Sequence, residues 1–266
     1  MTIITLLTDF GSKDTFVGVM KGVIWRIAPQ VQIADLTHAI GPQNVLEGAL
    51  ALGISAHFFP HGTVHLAVVD PGVGTPRRPI AARVGAHFFI GPDNGLFTAI
   101  FEKAEQENQP FEIIHLNQPK YWLSGVSHSF HGRDIFAPCA AYLANGTLLQ
   151  ALGTPVNDPV RLALPRPERT SDGWRCQVVR IDAFGNLGTN LPGDLLPAQR
   201  EGIRVTLRDH PIQGVVQTYA ERAAGDLAAM IDSSNNLSIA VVNGNAAQSL
   251  RAKVGDVVTV TIGAQE

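Results

Sequence analysis

Apolar residues in the first half of the chain follow two alternating rhythms. Short β-branched runs, Ile3 to Thr8, Val31 to Leu36 and Thr63 to Val69, are separated by stretches in which apolar positions recur every three or four residues. Phe16, Val17, Met20, Val23, Ile24 and Ile27 predict a helix that Asp14 can cap and Pro29 stops. Val45, Leu46, Ala49, Leu50 and Ile54 predict a second, opened by Gly41-Pro42 and ended before Pro60. Pro79 to Val84 and His87 to Ile90 read as a hairpin, Ile113 to Leu116 as a further strand, and Ile135 to Leu143 as a helix stopped by Asn145-Gly146. Strands alternating with helices predict βαβ units, hence an α/β fold with a mostly parallel sheet.

The pattern changes between Gly153 and Trp174, where prolines at 155, 159, 165 and 167 mix with charges and the helical period is lost. This stretch, residues 153–174, is the expected linker, dividing the chain into domains of residues 1–160 and 161–266. Beyond it the runs are short and strand-like: Gln177 to Ile181, Ile203 to Leu207, Gly214 to Gln217, Leu237 to Val242 and Val257 to Ile262. A C-terminal all-β barrel domain follows.

Composition narrows the functions open to such a chain. With 266 residues it can bury a sizeable core, and no apolar run reaches the length of a membrane span. The first residues lack the basic start of a signal peptide, so a cytoplasmic protein is expected. Two widely separated cysteines, Cys139 and Cys176, fit reduced buried thiols. A net charge of -3 offers no general attraction for nucleic acid. The expected partners are small molecules or further copies of the chain.

Candidate chemistry concentrates where strands end. The run Val68-Val69-Asp70-Pro71-Gly72-Val73-Gly74-Thr75-Pro76-Arg77-Arg78 delivers an acid from a buried strand into a glycine loop followed by two arginines. Ligands in open α/β sheets sit beyond the carboxyl ends of strands, so Asp70 and Asp9 are expected at one crevice, with Asp14 at the first helix. An ordinary turn with solvated arginines fits the loop equally well. On an extended segment Arg77 and Arg78 point to opposite faces, so only one reaches such a site. A second cluster, Ser127-His128-Ser129-Phe130-His131-Gly132-Arg133-Asp134, leads into a helix. His131, beside a glycine at the helix entrance, can present an imidazole that titrates near neutrality. His128 reads as a surface residue, and Arg133 with Asp134 as an ion pair or cap.

In the second half, Ile181-Asp182-Ala183-Phe184-Gly185-Asn186 offers an aromatic surface and an amide whose paired donor and acceptor suit an adenine edge. A β-turn with Phe184 in the core fits the same residues, and Gly91-Pro92-Asp93-Asn94-Gly95 also reads as a turn. Asp9, Asp70, His38 and His131 are ligand-capable, but no HExxH pair or cysteine cluster accompanies them, and no Walker or Gly-x-Gly-x-x-Gly loop follows a strand. Neither a metal nor a bound cofactor is expected.

Seven collinear segments resemble the S-adenosyl-L-methionine (SAM) hydroxide adenosyltransferases, the SAM hydrolases related to the SAM-dependent fluorinase and chlorinase. They are LLTDFGSKDTFVGVMKG (6–22), DLTHAI (35–40), FPHGTVHLAVVDPGVGTPRR (59–78), GPDNG (91–95), SFHGRDIFAP (129–138), IDAFGNLGTN (181–190) and SSNNLSIAVVNGNAA (233–247). The resemblance implies a Rossmann-like N-terminal α/β domain, a C-terminal β-barrel domain, and a homotrimer with SAM, as substrate, bound between the N-terminal domain of one subunit and the C-terminal domain of its neighbour. It implies that Asp9 holds the ribose hydroxyls with Asp14 close by, that Asp182 and Ser233 meet the methionine ammonium and carboxylate, and that Asn186 reads adenine with backbone near Val241. Phe184 and Tyr219 would stack on or wall the base. Asp70, Arg77 and His131 match the water-activating triad, so the implied reaction is hydrolysis of SAM to adenosine and L-methionine.

The halogenating relatives carry a tyrosine where Asp70 stands and a different residue in place of His131. The fluorinase has a halide-binding serine where this chain has Gly132, a tryptophan in place of Gln43, and a long loop insertion that is absent here. A carboxylate repels a halide ion, so Asp70 favours water as nucleophile. Ser234-Asn235 occupy the turn where relatives often have a bulkier residue and glycine. A SAM-binding regulatory module with little turnover, or a chlorinase-like halogenase, are the alternative readings.

Overall fold

The hydrophobic rhythm of the first half becomes a sheet with helices on both faces. In the computed structural model, which describes residues 2–263, the elements run β1 (Ile3–Thr8), α1 (Phe16–Ile27), β2 (Gln32–Thr37), α2 (Val45–Ser55), β3 (Val64–Val68), β4 (Pro79–Val84), β5 (His87–Pro92), α3 (Thr98–Gln106), β6 (Phe111–His115), α4 (Ala137–Ala144) and β7 (Thr154–Pro155). The strand order is β2-β1-β3-β5-β4-β6-β7. The strands β2, β1, β3 and β5 are parallel. The edge formed by β4, β6 and β7 is antiparallel, because a two-residue link returns β4 into β5.

Alternation along β3 explains the layering. Val64, Leu66 and Val68 enter a core shared with Met20 and Ile24 of α1 and Ala140 and Ala141 of α4. Ala67 and the following Val69 enter a second core with Leu52 of α2 and Phe101 of α3. A strand buried on both faces needs a near-continuous apolar run, and β3 supplies one interrupted by the buried His65, whose Nδ1 is 2.8 Å from Thr5 Oγ1.

Several local expectations change. The N-cap of α1 is Thr15, without a side-chain cap, and Asp14 is exposed; the turn before the helix carries the chain past Asp14 before the helical bonds begin. Gly41-Pro42 precedes α2 rather than opening it. The cap is Asn44, whose side chain accepts from the Glu47 N–H at 3.1 Å, and Glu47 Oε2 accepts in turn from the Gly41 N–H at 3.0 Å. The expected helix from Ile135 begins as a π-helical turn, Gly132–Phe136, and continues as α4. Helix α3 was not expected; it buries only one face, through Thr98, Ile100, Phe101 and Ala104.

The chain divides into two compact units between Leu164 and Pro165. The second contains β8 (Glu168–Arg169), β9 (Gly173–Ile181), β10 (Leu187–Pro192), β11 (Ile203–Leu207), β12 (His210–Gln213), β13 (Val215–Val216), β14 (Leu227–Ile231), β15 (Asn236–Val241), a short helix α5 (Ala246–Leu250) and β16 (Val257–Ile262). The path β12-β11-β16-β9-β10-β15-β14-β13 curls until β11 and β12 approach β13 and β14, giving a nearly closed barrel. Inward positions alternate: Cys176 and Val178, Ile203, Val205 and Leu207, Leu237, Ile239 and Val241, Val258 and Val260. Cys139 and Cys176 are free and buried, and burial pushes both thiols up to about 12, so neither is a nucleophile.

Candidate active site

In the first unit, Asp70 lies two residues beyond β3 and keeps the alternation of Leu66 and Val68, toward the side of the sheet that α4 covers. The loop after it is closed by its own backbone: Val73 N–H donates to the Asp70 carbonyl at 3.2 Å, and the Thr75 N–H and hydroxyl donate to the Gly72 carbonyl at 3.1 and 2.7 Å. Asn94 fixes the strand end from the neighbouring loop, donating from Nδ2 to the Val69 carbonyl at 2.8 Å. The GPDNG segment therefore does more than turn the chain. Its Asp93 is buried and accepts from Arg78 Nε at 2.8 Å and from the Val160 N–H at 2.8 Å.

The two arginines separate as extended geometry requires. Arg77 turns back onto Asp70, with Nε donating to Oδ1 at 2.8 Å and Nη2 to Oδ2. Arg78 turns the other way, to Asp93 and to Asp158, 2.7 Å from Nη1. The Asp70 and Arg77 side chains are only 5% and 8% exposed, so this bidentate pair is buried, and the guanidinium also lies 5.2 Å from the centroid of the Phe136 ring. Arg77 Nη1 is buried and has no hydrogen-bond partner among the described residues.

His131, at the entrance to the π turn, completes the group. Its Nδ1 is 2.9 Å from Arg77 Nη2. A guanidinium only donates, so Nδ1 accepts, and the neutral imidazole carries its proton on Nε2. Burial first, and then the adjacent Arg77 charge, hold His131 below its ordinary value; Asp70 and Asp134 pull in the opposite sense, and His128 adds to the depression. His128 itself is exposed. The loop carrying His131 touches the loop carrying Arg77: a Cβ on Gly74, whose φ is +79°, would stand 2.4 Å from the His128 carbonyl oxygen.

Asp9 follows β1 and accepts from the Gln43 N–H at 2.8 Å through Oδ2. Beside it Phe10, Phe16 and Phe130 meet edge to face, with centroids 5.2 to 6.0 Å apart. His38 is taken up by Thr8 Oγ1 at 2.9 Å and stands 3.1 Å from Asp35.

In the second unit the Asp182 segment is a turn between β9 and β10. Asp182 Oδ1 accepts from the N–H groups of Phe184 and Asn186, both at 2.9 Å, and Oδ2 accepts from Asn186 Nδ2 at 2.9 Å. Phe184 is not in the core; it is 76% exposed. Gly185 has φ +85°, and a Cβ there would collide with Asn245 at 2.1 Å. The same turn recurs between β14 and β15, where Asp232 Oδ1 accepts from the N–H groups of Ser234 and Asn236 at 2.8 and 3.2 Å. Ser233 is exposed on that turn. Tyr219 is 45% exposed in a short turn with a Thr218–Glu221 capping box, and Val241 ends β15 with its carbonyl accepting from the Gly244 N–H at 3.0 Å. Ser233 and Val241 therefore mark opposite ends of the same strand region.

The family model for the SAM hydroxide adenosyltransferase N-terminal domain matches residues 4–153, and that for the C-terminal domain matches residues 176–259. The chain belongs to the SAM hydroxide adenosyltransferase family. It is 38% identical over 262 residues to an (R)-S-adenosyl-L-methionine hydrolase of Salinispora tropica, covering 98% of both chains. It is 30% identical over 296 residues to a fluorinase of Actinoplanes sp., covering 97% of each. A crystal structure of an uncharacterized conserved protein from Thermotoga maritima superposes with a TM-score of 0.90 at 35% identity, over 97% of this chain and 99% of that one.

Proposed function

We propose that the protein hydrolyses SAM to adenosine and L-methionine, with Asp70, Arg77 and His131 acting on the water. The observation that carries this reading is Arg77, whose one guanidinium holds the Asp70 carboxylate and the His131 ring together in a buried setting. In the reaction the water oxygen bonds to the ribose 5′ carbon as the carbon–sulfur bond breaks, and the bonding pair leaves on sulfur as a neutral thioether. No charge builds on the leaving group, so the chemistry calls for neither a metal nor a general acid. What it demands is a water held in line and relieved of a proton as it attacks.

With Nδ1 committed to Arg77, His131 faces the water as an Nε2–H donor, and Asp70 is left as the proton acceptor. Arg77 Nη1, buried and unpartnered, supplies a further donor for the water oxygen. Asp9, whose Oδ1 has no hydrogen-bond partner among the described residues, is assigned to the ribose hydroxyls, with Asp14 close by. Asp182 and Ser233 are assigned to the methionine ammonium and carboxylate, Asn186 and the backbone near Val241 to adenine, and Phe184 and Tyr219 to its faces. The large exposure of Phe184 supports a role on a surface that a second copy covers, and we propose a homotrimer with active sites at subunit interfaces. Two buried free thiols support a reducing, cytoplasmic setting. The Rossmann-like description is proposed for the first unit on the parallel strands β2, β1, β3 and β5 with helices on both faces.

Turnover in water enriched with oxygen-18 tests the reading. The label is expected in the 5′-hydroxyl of adenosine and absent from methionine, with the rate unaffected by chloride. Failure to release adenosine, or chloride-dependent formation of 5′-chloro-5′-deoxyadenosine, would overturn it.

A further inference from the structure

Among the described residues His131 has one side-chain partner, Arg77, and no cap bond of its own, so its aim depends on the backbone that carries it. That backbone is tied to one buried carboxylate three residues on. Asp134 is 1% exposed, and its Oδ2 accepts from the N–H of Ser127 at 2.9 Å and from the Ser127 hydroxyl at 2.7 Å. Arg133 closes the outer side, donating from Nε to Oδ1 at 2.6 Å and from Nη2 to Oδ2 at 3.0 Å. The Asp134 backbone joins in: its N–H donates to the Phe130 carbonyl at 3.1 Å, and its carbonyl accepts from the Leu123 N–H at 2.9 Å. The Ser127 hydroxyl oxygen accepts in addition from the Phe130 N–H at 3.1 Å. Segment 127–134 is thus a ring closed by the Ser127–Asp134 contacts, with His131 inside it and a π turn, a departure from regular helix frequent at functional sites, as its exit.

We propose that Asp134, clamped to Ser127, is the positioning residue that aims His131 Nδ1 at Arg77. The arrangement forms a chain of support: Ser127 and Asp134 set the backbone, the backbone sets His131, and His131 with Asp70 sets the guanidinium. Neither Ser127 nor Asp134 is assigned a contact with SAM. The charged and titratable groups around His131 are Arg77, Asp70, Asp134 and His128. Removing the Asp134 carboxylate therefore takes away one of the two groups that favour the charged imidazole and leaves Arg133 uncompensated. The inference rests on the triad reading above, so its test includes a measurement that does not need turnover.

The test compares Ser127→Ala and Asp134→Asn with the wild type by SAM steady-state kinetics across pH and by nitrogen-15 NMR of the His131 ring without substrate. Both variants are expected to lower kcat about 10- to 100-fold, the range a displacement of about 1 Å produces, with KM for SAM changed less than threefold. In Asp134→Asn the acid limb of kcat is expected to move to lower pH, and in both variants the single Nε2–H tautomer gives way to a mixture. Should Asp134→Asn not fold, Ser127→Ala decides alone, since it keeps the carboxylate. Folded variants with wild-type kcat and an unaltered His131 tautomer would overturn the proposal. If the wild type releases no adenosine, the triad reading fails, and the tautomer comparison still judges the clamp.

Discussion

Asp70 and Asp182 are both acids handed from the end of a strand into a glycine-containing loop, yet they are partnered in opposite ways. Asp70 meets a cation: both its oxygens lie on Arg77, and the pair is buried and electrically balanced. Asp182 meets only neutral donors, two backbone N–H groups and an amide of its own turn, and among the described residues no cation pairs with it. A carboxylate held by neutral donors keeps its full negative charge and can draw a cation such as an ammonium. One held by a guanidinium cannot do so, but it is oriented and dry. On the proposed function, the difference separates a place for chemistry from a place for recognition.

That contrast can be broken most directly at Asp70. Asp70→Asn is expected to lower kcat for adenosine release by about 1,000-fold, within the range of general-base loss, measured by mass spectrometry; retention of a tenth of the wild-type kcat would erase the distinction between the acids. Arg77→Lys keeps the charge but not the two-pronged geometry, and we expect kcat to fall about 30-fold with the Nε2–H tautomer of His131 no longer fixed. At the other acid the effect moves to binding. Asp182→Asn retains an oxygen for the Phe184 and Asn186 N–H groups but removes the charge and, with it, the Oδ2 acceptor of Asn186 Nδ2, so KM for SAM is expected to rise at least about tenfold, or ~1.4 kcal/mol, with kcat within twofold. A fall in kcat with unchanged KM would assign Asp182 to the chemistry instead.

Acid inactivation must be told apart from unfolding, and His65 supplies the reference. It is fully buried, with Thr5 Oγ1 2.8 Å from its Nδ1, and burial followed by His87 lowers it to about 3. The unfolded chain takes up this proton near 6.5 and the folded chain only near 3, so its contribution to stability is whole above 6.5 and is lost as pH falls toward 3, by roughly 1.4 kcal/mol per unit. His131 is shifted in the same direction. Thermal melts from pH 7 to 5 are expected to show a falling Tm that His65→Gln flattens; a slope unaltered by that change would move its origin elsewhere.

The legibility of the chain followed the range of its interactions. Strands Ile3–Thr8, Pro79–Val84, Ile203–Leu207 and Val257–Ile262 were readable to their ends because one or both faces are apolar at period two. Strand β14, Leu-Ala-Ala-Met-Ile, was not, because its residues are mostly good helix formers and pairing with β15 and β13 makes it extended. Strand β10 escaped because Gly188, Thr189 and Asn190 interrupt its apolar run. At the site, Asp70 and the opposite aims of Arg77 and Arg78 followed from local geometry. The contact of Arg77 with His131 spans 54 residues, and local pattern contains nothing that specifies it. The buried roles of Asp93 and Asp134 were equally hidden, since a turn acid looks the same in sequence whether it faces water or a guanidinium.

Back-to-back Arg77 and Arg78 have one more consequence, for how the loop can change length. Each guanidinium has its own acid on its own side of the chain, Asp70 for one and Asp93 with Asp158 for the other. Arg78 is anchored at the mouth of β4, where its carbonyl accepts from the Asp93 N–H at 2.9 Å, so the strand sets both sides, and one residue inserted or deleted between Arg77 and Pro79 would turn Arg77 away from Asp70. Chain length at this junction is therefore a whole-number variable, and descendants of this sequence should accept many changes in the turn nearer Gly72 before they accept a single insertion or deletion beside Arg77.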